Sequence, residues 1–190
     1  MTLPIHQQFA TRAIRFVETD ERFAGLTVGG SWREGRLDEW SDLDLVLVAW
    51  PEQQAAILDS RMEIAHALGE LLSGFTGEHI GDPRVLICLY DNPLLHVDLK
   101  FVSLPDFEVR VEDPVVLFER DNALSEILSR TTGAYPLPDL QWIEDRFWVW
   151  THYAGLRLGR GELMELADHL SYVRNSVLGS LLLMKHGLPP

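Results

Sequence analysis

Apolar residues Ile5, Phe9, Ala13, Ile14 and Val17 recur at helical spacing and predict a helix over residues 4–22. Leu26-Thr27-Val28 reads as a short strand running into Gly29-Gly30, and the apolar run Leu45-Val46-Leu47-Val48 predicts a strand over 42–50. Pro51, a residue favoured in the first helical turn, opens a predicted helix over 51–72. Its core stripe is expected to be Ala55, Leu58, Met62, Ala65, Leu68 and Leu72. Two strands, 84–90 and 96–102, flank the turn Asp91-Asn92-Pro93 and predict a hairpin, and 115–118 supplies a further short strand.

Residues 121–138 change character, with Thr131-Thr132-Gly133 and two prolines, and are expected to form a linker. Two helical segments follow, over 140–158 and 162–186, separated by Gly159-Arg160-Gly161. The second carries the apolar stripe Leu163, Leu166, Leu170, Val173, Val177 and Leu181. The expected fold class is therefore α+β. A small mixed sheet with flanking helices occupies residues 1–130, and a helical C-terminal domain occupies 138–190.

Against this apolar background three acids stand out. Side chains alternate faces along a strand, so Asp42 and Asp44 point the same way, opposite Leu43 and Leu45. Two like charges there repel, and a divalent cation with a preference for oxygen ligands relieves the conflict. Solvation of two surface acids is the plainer alternative. Asp98 interrupts the run Leu94 to Val102 and shares a face with His96, Lys100 and Val102. A buried, unpaired aspartate is costly, so Asp98 calls for a partner such as Lys100, or for a metal. Glycine leaves the backbone uncovered, so the N–H groups around Gly29-Gly30-Ser31 are open to an anion. Arg33 is either a cation for that anion or a solvated loop residue.

These residues together resemble the signature of the DNA polymerase beta-like nucleotidyltransferases. Gly29-Gly30-Ser31 followed by Trp40-Ser41-Asp42-Leu43-Asp44-Leu45 is similar to the pattern in bacterial aminoglycoside and streptomycin adenylyltransferases. The resemblance implies that residues 1–130 form a nucleotidyltransferase domain. It implies that Gly29, Gly30 and Ser31, with Arg33 and Lys100, bind the phosphates of a nucleoside triphosphate such as ATP. It further implies that Asp42, Asp44 and Asp98 are the catalytic acids and hold two Mg²⁺ ions, Asp98 also helping to activate an acceptor hydroxyl. The implied acceptor is a small molecule, with an aminoglycoside-like compound as the example the resemblance suggests. The segment Phe147 to Tyr153 with Arg160-Gly161-Glu162 resembles the helical part of the streptomycin-type enzymes.

Composition narrows the partners. A net charge of −13 disfavours sequence-independent nucleic-acid binding, which depends on Lys and Arg neutralising phosphates. It suits a polycationic acceptor, and equally it serves solubility. The 46% hydrophobic and 24% charged composition is that of an ordinary globular chain. No stretch has the length and apolarity of a membrane span, and no membrane partner is expected. The start Met1-Thr2-Leu3-Pro4-Ile5-His6 lacks a basic, apolar leader. Cys88, the only cysteine, sits in an apolar run as an expected inert core residue. These features lead to the expectation of a cytoplasmic protein.

The helical part leaves more open. Trp142, Phe147, Trp148, Trp150 and Tyr153 are read as core or interface residues, with an acceptor pocket as the alternative. Glu144, Asp145, Glu162 and Asp168 are not separable as a general base. A homodimer is one expected way to complete the acceptor pocket. The alternative to a small-molecule enzyme is an antitoxin-like interaction protein that binds or modifies a partner protein.

Overall fold

A computed structural model describes residues 4–188. Residues 1–3, part of the start judged above to lack a leader, and residues 189–190 lie outside the described residues. The chain divides into two compact units, Met1–Gly133 and Ala134–Pro190. Among the described residues no helix is long and apolar enough to cross a membrane.

The first unit is α+β. Helix α1 (Pro4–Thr19) leads to strand β1 (Phe23–Val28), the short helix α2 (Gly30–Arg33) and strand β2 (Leu43–Ala49). Helices α3 (Gln54–Asp59) and α4 (Arg61–Leu68) precede strands β3 (Glu70–Gly77), β4 (Asp82–Asp91) and β5 (Leu95–Ser103). Helix α5 (Leu104–Phe107), strand β6 (Val115–Glu119) and helix α6 (Ala123–Arg130) complete it. The six strands form one mixed sheet in the order β3-β4-β5-β2-β1-β6. Its central pair, β2 and β5, is parallel, and its other pairs are antiparallel. The expected hairpin is β4–β5, turning at a cis Asn92–Pro93 bond.

Strand alternation sorts the side chains into two layers. Leu43, Leu45 and Leu47 of β2 and Val97, Leu99 and Phe101 of β5 face one way. There they pack with Phe9, Ala13 and Val17 of α1, Ile57 of α3 and Ile64 of α4. Burying side chains of this size contributes about 1.5–3 kcal/mol each before entropy is counted. On the opposite face Val48 and Val102 pack with Phe107, Leu124 and Ile127. That second layer covers the later parts of β2 and β5 and stops short of their beginnings.

Two expectations are corrected. The helix expected over 51–72 is a 3₁₀ turn (Pro51–Gln53), two short helices and the first residues of β3. It breaks at Ser60, whose hydroxyl donates to Ala56 O at 2.8 Å, an alternative to continuing the helical ladder. Ala65 and Leu68 of the expected stripe are buried, Ile57 and Ile64 carry the rest, and Leu72 is exposed on a strand. The chain becomes extended at Gly69, where a Cβ would press on the Tyr90 ring at 3.2 Å. The expected linker over 121–138 contains α6, whose N-terminal amides Leu124 and Ser125 donate to the Glu119 carboxylate at 3.0 and 2.9 Å. Leu124 and Ile127, one helical turn apart, are its buried face.

Tyr90 joins the two halves of the first layer. Its ring meets Phe9 edge-on with centroids 4.7 Å apart, and its hydroxyl donates to Ala65 O at 2.8 Å. Tyr90→Phe is expected to cost about 1 kcal/mol, the net worth of one buried hydrogen bond. Equilibrium urea unfolding of the two proteins, read as a shift in midpoint at constant slope, checks this.

The second unit is helical: α7 (Leu140–Arg160), α8 (Leu163–Tyr172), a π-helical stretch (Val173–Gly179) and α9 (Ser180–Lys185). Asp139 caps α7 by accepting from Trp142 N, and Gly161 ends it in the left-handed region at φ +73. Trp150 of α7 packs edge-on against Tyr172 of α8, and His169 bonds to Trp150 O at 2.9 Å. The aromatic cluster thus divides: Trp142 and Trp150 pack together, whereas Trp148 is 73% exposed. The stripe expected along 163–181 also divides, with Val177 buried and Leu163 and Leu170 exposed.

Candidate functional site

The uncovered end of the sheet is where β1 finishes and β2 and β5 begin. Val28 pairs with Leu45, so the turn leaving β1 lies against Asp44, and Gly29 N–H donates to Asp44 O at 3.0 Å. Because β5 runs parallel to β2, Asp98 is the direct partner of Asp44 in the ladder. Directly paired residues share a face, so the two carboxylates emerge side by side on the face opposite the leucine layer. Asp42 sits just ahead of β2. His6, buried on α1, bonds through Nε2 to Ser41 O at 2.8 Å and fixes the chain beside it.

The turn itself is built for close approach. Gly30 has φ +56, and a Cβ on it would collide with the Asp44 carboxylate. Gly29 is buried, and a Cβ there would lie 2.6 Å from Glu112 Oε1. Trp32 of α2 packs onto the leucine layer and anchors the turn to the core. Ser31 lies on α2 at intermediate exposure, and Arg33 ends that helix, exposed.

Negative charge is concentrated here: Asp42, Asp44, Asp98 and Glu112 lie close together, and Arg33 pairs with Glu112. Burial first, and then the neighbouring Asp42, Asp98 and Glu112 carboxylates, push the Asp44 carboxyl up to about 6. Burial also raises Asp98, while His96, bonded to its Oδ1 at 2.9 Å, works in the opposite sense. As the side chains stand, no three Asp, Glu, His or Cys among the described residues close on one point as metal ligands. Asp98 has turned an oxygen to His96, and Glu112 has turned to the glycine turn. The mutual repulsion nevertheless fits a cation: Asp44 and Asp98 emerge side by side with Asp42 close by, burial and like charge have raised the Asp44 carboxyl to about 6, and a divalent ion would remove the penalty.

Of the residues singled out in the sequence, Gly29, Gly30, Ser31, Arg33, Asp42, Asp44 and Asp98 come together at this end of the sheet. Lys100 is engaged elsewhere, its Nζ 2.9 Å from Asp82 Oδ2, and Asp82 is also held by Arg84. Those two cations keep the Asp82 carboxyl far below the usual range. Glu144, Asp145, Glu162 and Asp168 belong to the second unit.

The residue that sequence reading missed is Glu112. It accepts from Gly30 N–H at 2.8 Å and from Arg33 Nη1 at 3.2 Å. Its loop is tied down by Arg110, a largely buried side chain donating to Asp113 and to Thr131 Oγ1 and O. Gly133 N–H closes the clamp on Asp113 Oδ1 at 2.8 Å. An acid in a polar loop, 82 positions from its partner in the chain, carries no local pattern that marks it.

No protein-family model matches this chain, and no curated protein matches it significantly.

Proposed function

We propose that the first unit is a magnesium-dependent nucleotidyltransferase of the DNA polymerase beta-like kind. It would transfer a nucleoside monophosphate, AMP from ATP in the first instance, to a hydroxyl of a small-molecule acceptor similar to those of aminoglycoside adenylyltransferases. The observation that carries this reading is the pairing of Asp44 with Asp98 across parallel strands, directly beneath a glycine turn that only a side-chain-free residue fits.

Asp42, Asp44 and Asp98 would hold the ions. Bound Mg²⁺ supplies charge neutralisation for the leaving pyrophosphate and lowers the pKa of the attacking hydroxyl. The protein's own part is positioning and electrostatics, as in related phosphoryl transfers. Gly30 N–H and Arg33, which donate to Glu112 in the ligand-free chain, would be the donors to the triphosphate. Asp98 would also take the proton of the acceptor hydroxyl, and His96, bonded to its Oδ1, would orient that carboxylate.

The exposed apolar side chains of the second unit, Trp148, Met164 and Leu163 among them, favour a second reading in which the acceptor is a partner protein. One experiment separates the two. Pyrophosphate release is measured with each nucleoside triphosphate and Mg²⁺ against aminocyclitols and against lysate protein, for wild type and Asp98→Ala. Turnover with an aminocyclitol, lost at least 100-fold in the variant, is expected; a labelled protein instead selects the second reading. Equal turnover in wild type and variant defeats the proposal.

A further inference from the structure

The donors at the glycine turn are already occupied from within the chain. One oxygen of Glu112 takes the Gly30 amide and the other takes Arg33, so a single carboxylate satisfies both. We propose that Glu112 is an internal surrogate for a phosphate group: it holds the turn in its binding conformation without ligand and must swing away before a nucleotide's polyphosphate can take the same donors. This inference rests on the nucleotidyltransferase reading and adds a regulatory contact to it.

Three features of the loop support it. First, its backbone is fixed by contacts that do not involve its carboxylate. Arg110 clamps both Asp113 and Thr131, and Gly133 packs so tightly on Glu112 that a Cβ would lie 2.5 Å from its carbonyl carbon. Glu112 is therefore presented to the turn by construction. Second, the contact is weak enough to release. The Arg33–Glu112 pair is partly exposed, at 39% and 22% for the two side chains, and exposed ion pairs contribute little net stability. Third, Glu112 stands in the same negative neighbourhood as Asp42, Asp44 and Asp98 and has no reason to remain there once its donors are taken. A polyphosphate brings several negative charges to that point, so it both removes the partners of Glu112 and repels it.

A site whose binding-competent state is populated only fractionally binds its ligand more weakly by that fraction. Removing the surrogate should therefore tighten binding. The test is isothermal titration of wild type, Glu112→Gln and Glu112→Ala with Mg·ATP and with inorganic tripolyphosphate, each variant first checked for an unchanged thermal melt. Both variants are expected to bind both ligands about three- to tenfold more tightly, Ala more than Gln because an amide oxygen still accepts from Gly30. In the ligand-free state, the Gly30 amide should exchange with solvent faster in Glu112→Ala. Equal or weaker binding by both variants overturns this inference and leaves the nucleotidyltransferase reading standing. Failure of all three proteins to bind either ligand overturns both.

Discussion

Asp44→Asn is expected to abolish nucleotidyl transfer while making the metal-free protein more stable at neutral pH. The activity loss should be about 10²–10³-fold or more, the scale associated with removing a group that stabilises charge developing in a transition state. The gain in stability follows from the crowding of carboxylates around Asp44. Its folded-state pKa of about 6 lies above its ordinary value of 3.8, so the folded protein holds this proton more tightly than the unfolded chain. Stability is then lost as pH rises from about 4 through 6, and the penalty is fully present above that window. Below pH 4 both states are protonated and the group contributes nothing. Asparagine keeps the shape and removes the charge.

A shift of this size corresponds to at most about 3 kcal/mol, and partial solvent access reduces it to about 1–2 kcal/mol. For a chain of this length that is a rise of roughly 2–8 °C in melting temperature at pH 8, falling toward zero at pH 4. Magnesium should stabilise the wild type at pH 8 by mass action and leave the variant unmoved. Scanning calorimetry at pH 4 and 8, with and without Mg²⁺, separates these effects. A variant less stable than wild type at pH 8 without metal would contradict the electrostatic account. Such an opposition between stability and activity is expected where a site holds like charges together in readiness for a cation.

The centre of the fold was legible because it is written in local pattern. Strand β2 announces itself through Leu45-Val46-Leu47-Val48, and β5 through the alternation of Val97, Leu99 and Phe101 with polar residues. The acids are conspicuous for different reasons: Asp44, with Asp42, opens an apolar run as a like-charged pair, and Asp98 interrupts one. What pattern alone could not give was that the two strands are neighbours, and parallel, which sets the acids opposite each other. The start of strand β3 reads in the sequence as the end of a helix, because Leu68 and Leu72 continue a helical spacing. Only Gly69, extended against the Tyr90 ring, turns the chain out of it. Helix α6 was hidden for a different reason. Its two buried residues are flanked by the Thr, Gly and Pro signals of a loop, and its cap, Glu119, belongs to the preceding strand. Glu112 was invisible in principle, since its partners are brought to it by the sheet and by the Arg110 clamp.

Gly30→Ala is expected to be the most damaging change of a single methyl group in the turn. Two costs add. The residue sits at φ +56, where an L-residue with a Cβ is strained by about 1 kcal/mol, and the Cβ would overlap the Asp44 carboxylate. Either the turn or Asp44 must move, and movement of either by a fraction of an ångström separates the anion donors from the acids beneath them. We expect a loss of about 2–3 kcal/mol in stability and at least about 100-fold in turnover. Gly35→Ala is the matched control. That residue has φ +65 but open space where its Cβ would go, so it should lose only the backbone part, about 1 kcal/mol, with turnover nearly unchanged. A double-mutant cycle completes the argument. Placed in an Asp44→Gly background, Gly30→Ala should cost no more than Gly35→Ala does in the wild type, because the carboxylate it collides with is gone. If the cost of Gly30→Ala is the same with and without Asp44, the turn does not rest on that carboxylate, and the proposed geometry of the site fails with it.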